Sequence, residues 1–467
     1  MPRTVDVVVI GAGPVGENVA DYARQHDLDV VVVERELVGG ECSYWACMPS
    51  KALLRPTEVL AAARRVPGAA PAVTGEVDVA ATLRSRTAFT SDWDDASQVE
   101  WLESVDVELV RGHGRLSGER EVTVAHGDGT TTVLSARVGV VVATGTSAAM
   151  PPIDGLAQAG AWDNRDITAV DEIPASLVVL GGGVVGVEMA QAMARLGSQV
   201  TIVEALDTLV GREEPVAAAA LRSALEDDGI TVRTGSMATA VRRDDDGQVV
   251  VALGDGDGAP IDGEVRGDEL LVAVGRRANT DDIGLDAVGV ETERGFIPVD
   301  DHLLVPGHDW LSAVGDVNGR SLLTHQGKYQ ARLVGDRLGG VEVDPAWADD
   351  RAVPRVVFTD PQIAAVGMTE QQARDAGLDV QVVEHDTGHV AGGSLLGKGS
   401  GGPARLVIDR DRQVVVGATF VGAQVAELLH SATIAIVGEV PIATLWHAVP
   451  SFPTVSEVWL RLLEATR

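Results

Sequence analysis

Two segments of the chain repeat one pattern of apolar and polar positions. Residues 5–34 read VDVVVIGAGPVGENVADYARQHDLDVVVVE: an apolar run, a glycine turn, a stretch with helical spacing, and a second apolar run that closes on an acid. Residues 176–204, SLVVLGGGVVGVEMAQAMARLGSQVTIVE, do the same. Short Val-rich runs beside a helical stretch predict strands buried on both faces, as parallel sheets require. Each glycine has a separate task. Gly11 and Gly181 suit the tight turn, Gly13 and Gly183 let a pyrophosphate approach, and Gly16 and Gly186 allow the helix to pack closely. The acids, Glu34 and Glu204, follow the first glycine at the same interval in both segments and are suited to accept a hydrogen bond from a ribose. The helix N-terminus supplies unpaired N–H groups and a positive dipole end for phosphates. One such match is weak; two complete units predict two dinucleotide sites.

Between and beyond these units, helix and strand patterns alternate as an α/β protein requires. A chain of 467 residues is too long for one hydrophobic core, so about three domains are expected. We read residues 1–148 and 273–345 as a first dinucleotide domain and 149–272 as a second. Residues 346–467 carry strand patterns at 355–358, 404–408 and 414–421 and a helix at 423–437.

Composition narrows the partners. Hydrophobic content of 45% with 23% charged residues is ordinary for globular chains, and the 53 glycines cluster beside the Val-rich runs. A net charge of −32 argues against nucleic acid and anionic membranes, both of which would repel it. The only lysines are Lys51, Lys328 and Lys398. No basic leader precedes residue 5, and no apolar window reaches the length of a membrane span, so a cytoplasmic location is expected. In that reducing compartment the only two cysteines, Cys42 and Cys47, are expected to be redox-active rather than a structural staple. The bland alternative is two unrelated buried thiols. No metal site is assigned.

The segment GGECSYWACMPSKALLRP, residues 39–56, places the cysteines in Cys-x4-Cys spacing ahead of Pro49 and Lys51. It joins the two glycine units, VATG at 142–145, VAVGRRANT at 272–280, AVGDV at 313–317 and FTDPQIAAVGMTE at 358–370. In these motifs the chain resembles, over nearly its whole length, the flavoprotein pyridine nucleotide-disulfide oxidoreductases, which include lipoamide dehydrogenase, glutathione reductase and mercuric reductase. The resemblance implies two Rossmann-like dinucleotide-binding domains, one for FAD and one for a nicotinamide, with a C-terminal α+β dimerisation domain and a homodimer. It implies Cys47 as the thiol against the flavin, Cys42 as the interchange thiol, Lys51 near flavin N5, and Glu188 as the ion-pair partner of Lys51. Thr144, Gly145, Gly275, Asp316, Thr324 and His325 fall in the motifs that would contact the cofactors. Glu204, with no positive charge at 205–207, favours NADH over NADPH; Arg212 keeps NADPH open.

The pattern breaks near the C-terminus. The family's disulfide reductases carry His-Pro-Thr followed by a glutamate, the histidine serving the partner subunit as acid/base. Here residues 447–465 read HAVPSFPTVSEVWLRLLEA, so Phe452 stands in the histidine's place while Glu457 remains. A positioned acid/base contributes roughly 10² to 10⁴ in rate. Three readings follow. His447 substitutes, or is only a helix-end histidine; the substrate is a small disulfide whose leaving thiolate has a low pKa and needs no proton; or electrons leave to a quinone or metal ion. Lipoamide dehydrogenase is weakened by the missing histidine, and mercuric reductase by the absence of any cysteine after Cys47. A non-catalytic redox sensor is the reading outside enzymes. Tyr44 and Trp45, between the cysteines, are expected either to line the substrate mouth and stack on a planar disulfide or to pack in the core.

Overall fold

The computed structural model describes residues 2–255 and 258–467. The chain divides into two compact units, residues 1–49, 87–148 and 276–349, and residues 50–86, 149–275 and 350–467.

The first unit is built on a parallel sheet. Strand Arg3–Ile10 pairs with Val30–Glu34 on one side and Thr131–Val142 on the other; Glu108–Arg111 and Leu311–Ala313 extend the parallel pairing outward. All five residues of Val30–Glu34 are buried, which is why the run has no polar alternation. A hairpin, His113–Gly118 and Glu121–Ala125, continues the sheet antiparallel beyond Thr131–Val142. Ile10 registers with Val142, and Val142 with Ala313. The loops that follow these three strands, 11–13, 143–145 and 314–316, therefore leave the sheet at one edge, where open α/β sheets bind ligands. Helix Pro14–Arg24 crosses helix Thr324–Leu338 closely: a side chain at Gly327 would meet Val15 at 2.4 Å, and one at Gly335 would meet Tyr22 at 2.4 Å.

The second unit repeats the parallel arrangement. Its strands run in the order Thr231–Arg233, Gln199–Val203, Ser176–Leu180, Glu269–Val272. Leu177, Val179, Met189, Met193 and Ile202 form its core, joined by Leu53 and Leu54. A three-stranded meander, Met237–Arg243, Val249–Gly254 and Pro260–Gly267, precedes the last parallel strand. Residues 354–422 add a five-stranded antiparallel sheet, ordered Pro354–Val357, Gln362–Gly367, Val414–Gly422, Pro403–Asp409, Val380–Asp386. Helix Val425–Val437 packs its Leu428, Leu429 and Ala432 into the same core as Phe420 and Trp459. Strands and helix lie within a few residues of the positions their patterning predicts. Ion pairs tie this sheet to the parallel one: Arg355 to Glu213 at 2.8 Å, Arg405 to Glu214 at 2.9 Å, and Arg195 to Asp360 at 3.0 Å.

Candidate functional site

The two glycine turns have one geometry. Gly11 and Gly181 sit at φ 103° and 104°, where an L side chain is strained, and a Cβ there would press on the carbonyl oxygens of Ala143 and Ala273 at 2.5 and 2.4 Å. A Cβ at Gly16 or Gly186 would lie 1.9 or 2.0 Å from the carbonyl oxygen of Gly11 or Gly181. Gly13 and Gly183 differ: a Cβ at either would meet nothing within 4 Å. The open side of each turn is thus where a phosphate would come closest to backbone N–H groups.

The acids do more than await a ribose. Glu34 accepts the N–H of Ala12 and of Glu36, each at 2.7 Å; Glu204 accepts the N–H of Gly182 at 2.5 Å and of Leu206 at 2.7 Å. Each carboxylate clamps its own glycine turn. Motif spacing alone assigns these acids to the ligand, and the second role emerges only when strand end and turn are seen side by side.

Around the first turn, the segment 144–148 meets strand Arg276–Ala278. Thr144 and Asn279 exchange hydrogen bonds at 2.8 and 2.9 Å, and Gly145 at φ 67° faces open space. Asp316 accepts the Thr146 hydroxyl at 2.7 Å and lies 3.9 Å from Arg276. Burial pushes its carboxyl above the usual range, against the pull of Thr146 and Arg276. Thr146, Arg276 and Asn279 are site neighbours that sequence reading missed; the motif RRAN at 276–279 was the available signal. Gly275 belongs to the second unit, where its carbonyl accepts the Ala149 N–H at 3.0 Å.

Both cysteines lie in the first unit and neither is in a disulfide. Cys42 lies in the short helix Gly40–Tyr44, and Cys47 opens helix Cys47–Arg65. Cys47 Sγ is 3.5 Å from Thr324 Oγ1 at the start of helix Thr324–Leu338, and His325 beside it is exposed. The Cys42 thiol is pushed up, first by its hydrogen bond with Cys47 and then by burial; Thr324 and Lys328 pull it back down. Tyr44 is 1% exposed and donates its hydroxyl to the Val38 carbonyl at 3.0 Å, so its ring is core packing and not a substrate platform. Trp45, tilted 60° against Tyr44 at 5.6 Å, is half-buried and is the remaining aromatic candidate.

In the second unit Lys51 donates to Glu188 at 2.7 Å, and Glu188 also accepts the N–H of Phe358 at 2.9 Å. Glu188 is 2% exposed; the Lys51 ammonium stands 4.8 Å from the centre of the Phe358 ring. A carboxylate this buried needs its cation.

The C-terminal turn presents Phe452 with 77% of its surface exposed, and His447 is exposed as well. Glu457 is occupied locally. Its Oε2 accepts the N–H of Thr454 at 3.2 Å and of Gly392 at 3.1 Å, which caps the turn that carries Phe452. A Cβ at Gly392 would fall 2.0 Å from Thr454, so this glycine seats the turn.

Two parallel sheets with paired glycine turns and a dithiol beside one of them define a dinucleotide-dependent redox protein. The chain belongs to the pyridine nucleotide-disulphide oxidoreductases: residues 5–331 match that family and residues 353–462 its dimerisation domain. It is thus an NAD(P)H-dependent, FAD-containing disulfide oxidoreductase, and the dimerisation domain supports a homodimer. It is 34% identical to the dihydrolipoyl dehydrogenase of Chlorobaculum tepidum over 97% of this chain and 95% of that one. It is 33% identical to the mercuric reductase of Streptomyces lividans, covering 95% and 92%. The solved structure of RclA, an HOCl-induced flavoprotein disulfide reductase from Escherichia coli, superposes with a TM-score of 0.86 at 25% identity, covering 99% and 100%. No helix among the described residues is long and apolar enough to cross a membrane.

Proposed function

We propose that the protein passes electrons from NADH, through FAD, to Cys42 and Cys47 and on to a small disulfide whose leaving thiolate has a low pKa. The observation that carries this reading is the hydrogen-bonded thiol pair beside Thr324, in a chain whose acid/base position holds Phe452. FAD fits the residues of the first unit: Gly13 and Gly145 leave open backbone at the sheet edge where Asp316 also ends, and residues 1–148 and 273–345 take that role. Bound there, FAD would supply two-electron transfer between the nicotinamide and the cysteine pair. Residues 149–272 take the nicotinamide, with Glu204 favouring a free ribose hydroxyl, and residues 346–467 the dimer contact.

The chain's own chemistry follows. Cys42, as thiolate, attacks one sulfur of the substrate; a Cys42–substrate disulfide forms and the first thiolate leaves. Cys47 then attacks Cys42 Sγ, the second thiolate leaves, and a Cys42–Cys47 disulfide remains; the substrate has gained two electrons. Both thiolates leave unprotonated, which is fast enough only when their pKa is low. Lys51 and Glu188 hold the redox helix by its second turn. In that scheme the Glu457 cap fixes the position of Phe452 and moves no proton.

The exposed Phe452 ring favours a second reading, in which a quinone takes the electrons directly. One experiment separates the two. The enzyme is reduced anaerobically with NADH and offered disulfides of graded leaving-group pKa and quinones, with and without Cys42→Ser. A steep preference for low-pKa leaving groups, abolished by Cys42→Ser, supports disulfide exchange. No activity of the unmutated enzyme on any disulfide, with full activity of Cys42→Ser on quinones, sinks it.

A further inference from the structure

Helix Thr324–Leu338 starts at the Cys47 sulfur and carries Lys328 one turn later, on the same face as Thr324. Lys328 is exposed and has no hydrogen-bond or ion-pair partner among the described residues, whereas Lys51 is committed to Glu188. Opposite it, on helix Pro14–Arg24, Glu17 buries a carboxyl oxygen, Oε1, that has no hydrogen-bond partner among the described residues. Five groups thus gather in one unit: Cys42, Cys47, Thr324, Lys328 and Glu17.

We propose that the Lys328 ammonium is the positioning charge that holds Cys42 as a thiolate for exchange, with Glu17 beside it as a proton-bearing counter-group. The inference rests on the disulfide reading above, since a thiolate at Cys42 is needed only there.

The physical case is one of competing fields. Thiolate formation is opposed at Cys42 by the Cys47 thiol and by burial, and among the described residues Lys328 is the cation that acts to favour it. The other charges near the cluster are spoken for: Glu41 lies 3.7 Å from Arg276, which also faces Asp316, and Glu34 clamps the glycine turn. Glu17 feels both Glu34 and Lys328. Burial pushes its carboxyl up to about 8, against the pull of Lys328. Below that pH Glu17 keeps its proton and leaves the ammonium unneutralised, so the field of Lys328 is free to act on Cys42. Above it Glu17 ionises and competes. A chain without the usual imidazole thereby retains a permanent positive charge near its nucleophile, one that stabilises the thiolate without supplying a proton to the leaving group.

The test reads the thiol and not turnover. The holoenzyme, reduced anaerobically, is alkylated with iodoacetamide from pH 5.5 to 9.5, and modification of Cys42 is followed by peptide mass. Flavin absorbance checks that each variant is folded. Lys328→Met is expected to move the alkylation midpoint up by about one pH unit, a roughly tenfold slower reaction below the midpoint, while Lys328→Arg restores the wild-type curve. Glu17→Gln is expected to match wild type below pH 7 and to react faster above pH 8. In unmutated enzyme the midpoint should rise with added salt, because an exposed cation is screened. Superimposable curves for Lys328→Met and wild type, or a salt-independent midpoint, overturn the role of Lys328. A Glu17→Gln curve identical to wild type at every pH overturns the counter-group. If Cys42→Ser retains all acceptor activity, the disulfide reading fails while these curves still report on Lys328.

Discussion

The two glycine units share the φ of their first glycine and the close approach of their third, and part company one position later. After Gly186 the second unit places Val187, fully buried in an aliphatic core; after Gly16 the first places Glu17. Valine is the answer that packing alone would choose. Glu17 instead buries a carboxyl oxygen in the unit that carries the dithiol, which is the difference the proposal above turns on.

The third glycines should produce the largest effect when this comparison is broken. Gly16→Ala and Gly186→Ala each force a methyl group into a carbonyl oxygen, an overlap expected to cost about 3 kcal/mol in either unit. The consequences should separate. Gly16→Ala is expected to purify without flavin, whereas Gly186→Ala keeps its flavin but is not reduced by NADH at concentrations that saturate wild type. Absorbance near 450 nm, before and after anaerobic NADH, measures both.

Next in size is Glu17 itself. Its folded carboxyl holds a proton up to about 8, while the same group in the unfolded chain releases it near the ordinary value of 4.5. Between these values the folded state binds more protons, so this group's contribution to stability falls as pH rises. Glu17→Gln lacks that slope. Its stability relative to wild type should therefore grow by about 2 kcal/mol between pH 6 and pH 8, read from urea midpoints. A constant difference across that range would mean that Glu17 is already ionised in the folded protein.

Much of this was legible beforehand because the glycine turns are local: three glycines, a helix start and an acid specify a backbone path within thirty-odd residues, as the shared φ of Gly11 and Gly181 shows. What was not legible depends on distant segments meeting. Tyr44 stood open between substrate mouth and core packing until the carbonyl of Val38 was found to take its hydroxyl. In sequence Glu457 is only the glutamate that remains near Phe452, and the structure puts the N–H groups of Gly392 and Thr454 on it. Arg276 has no visible partner in sequence, yet it donates to Thr146 at 2.6 Å. Gly392 and Thr146 lie far along the chain from Glu457 and Arg276, at positions no spacing rule supplies.

A smaller effect sharpens the likeness between the units. Glu34→Ala and Glu204→Ala each remove one hydrogen bond from a glycine turn and one from the residue two positions on, a loss of about 1–2 kcal/mol apiece. Only Glu204→Ala should alter the choice of nicotinamide, by lifting the repulsion of a 2′-phosphate. Its ratio of kcat/KM for NADH over NADPH is expected to fall about tenfold, while Glu34→Ala leaves that ratio unchanged. Equal ratios in both variants would locate the discrimination elsewhere, with Arg212 the first residue to replace.

The smallest effect on stability belongs to the middle glycines, and it is the most specific. Gly13 and Gly183 have φ −67° and −75°, values that alanine adopts freely, and an added methyl group meets no atom of the protein. Nothing in the folding of either unit requires glycine there. The open side of each turn, beside the N–H groups of a helix start, suits a phosphate. Gly13→Ala and Gly183→Ala should each change stability by no more than about 1 kcal/mol, since the poorer cap is offset by the stiffer unfolded chain. Their ligand effects should nonetheless be large and should divide by unit. Gly13→Ala is expected to lower the bound flavin per chain, and Gly183→Ala to raise the KM for NADH at least tenfold with flavin content unchanged. If either variant bound its dinucleotide as wild type does, the open side of that turn would not be the phosphate site.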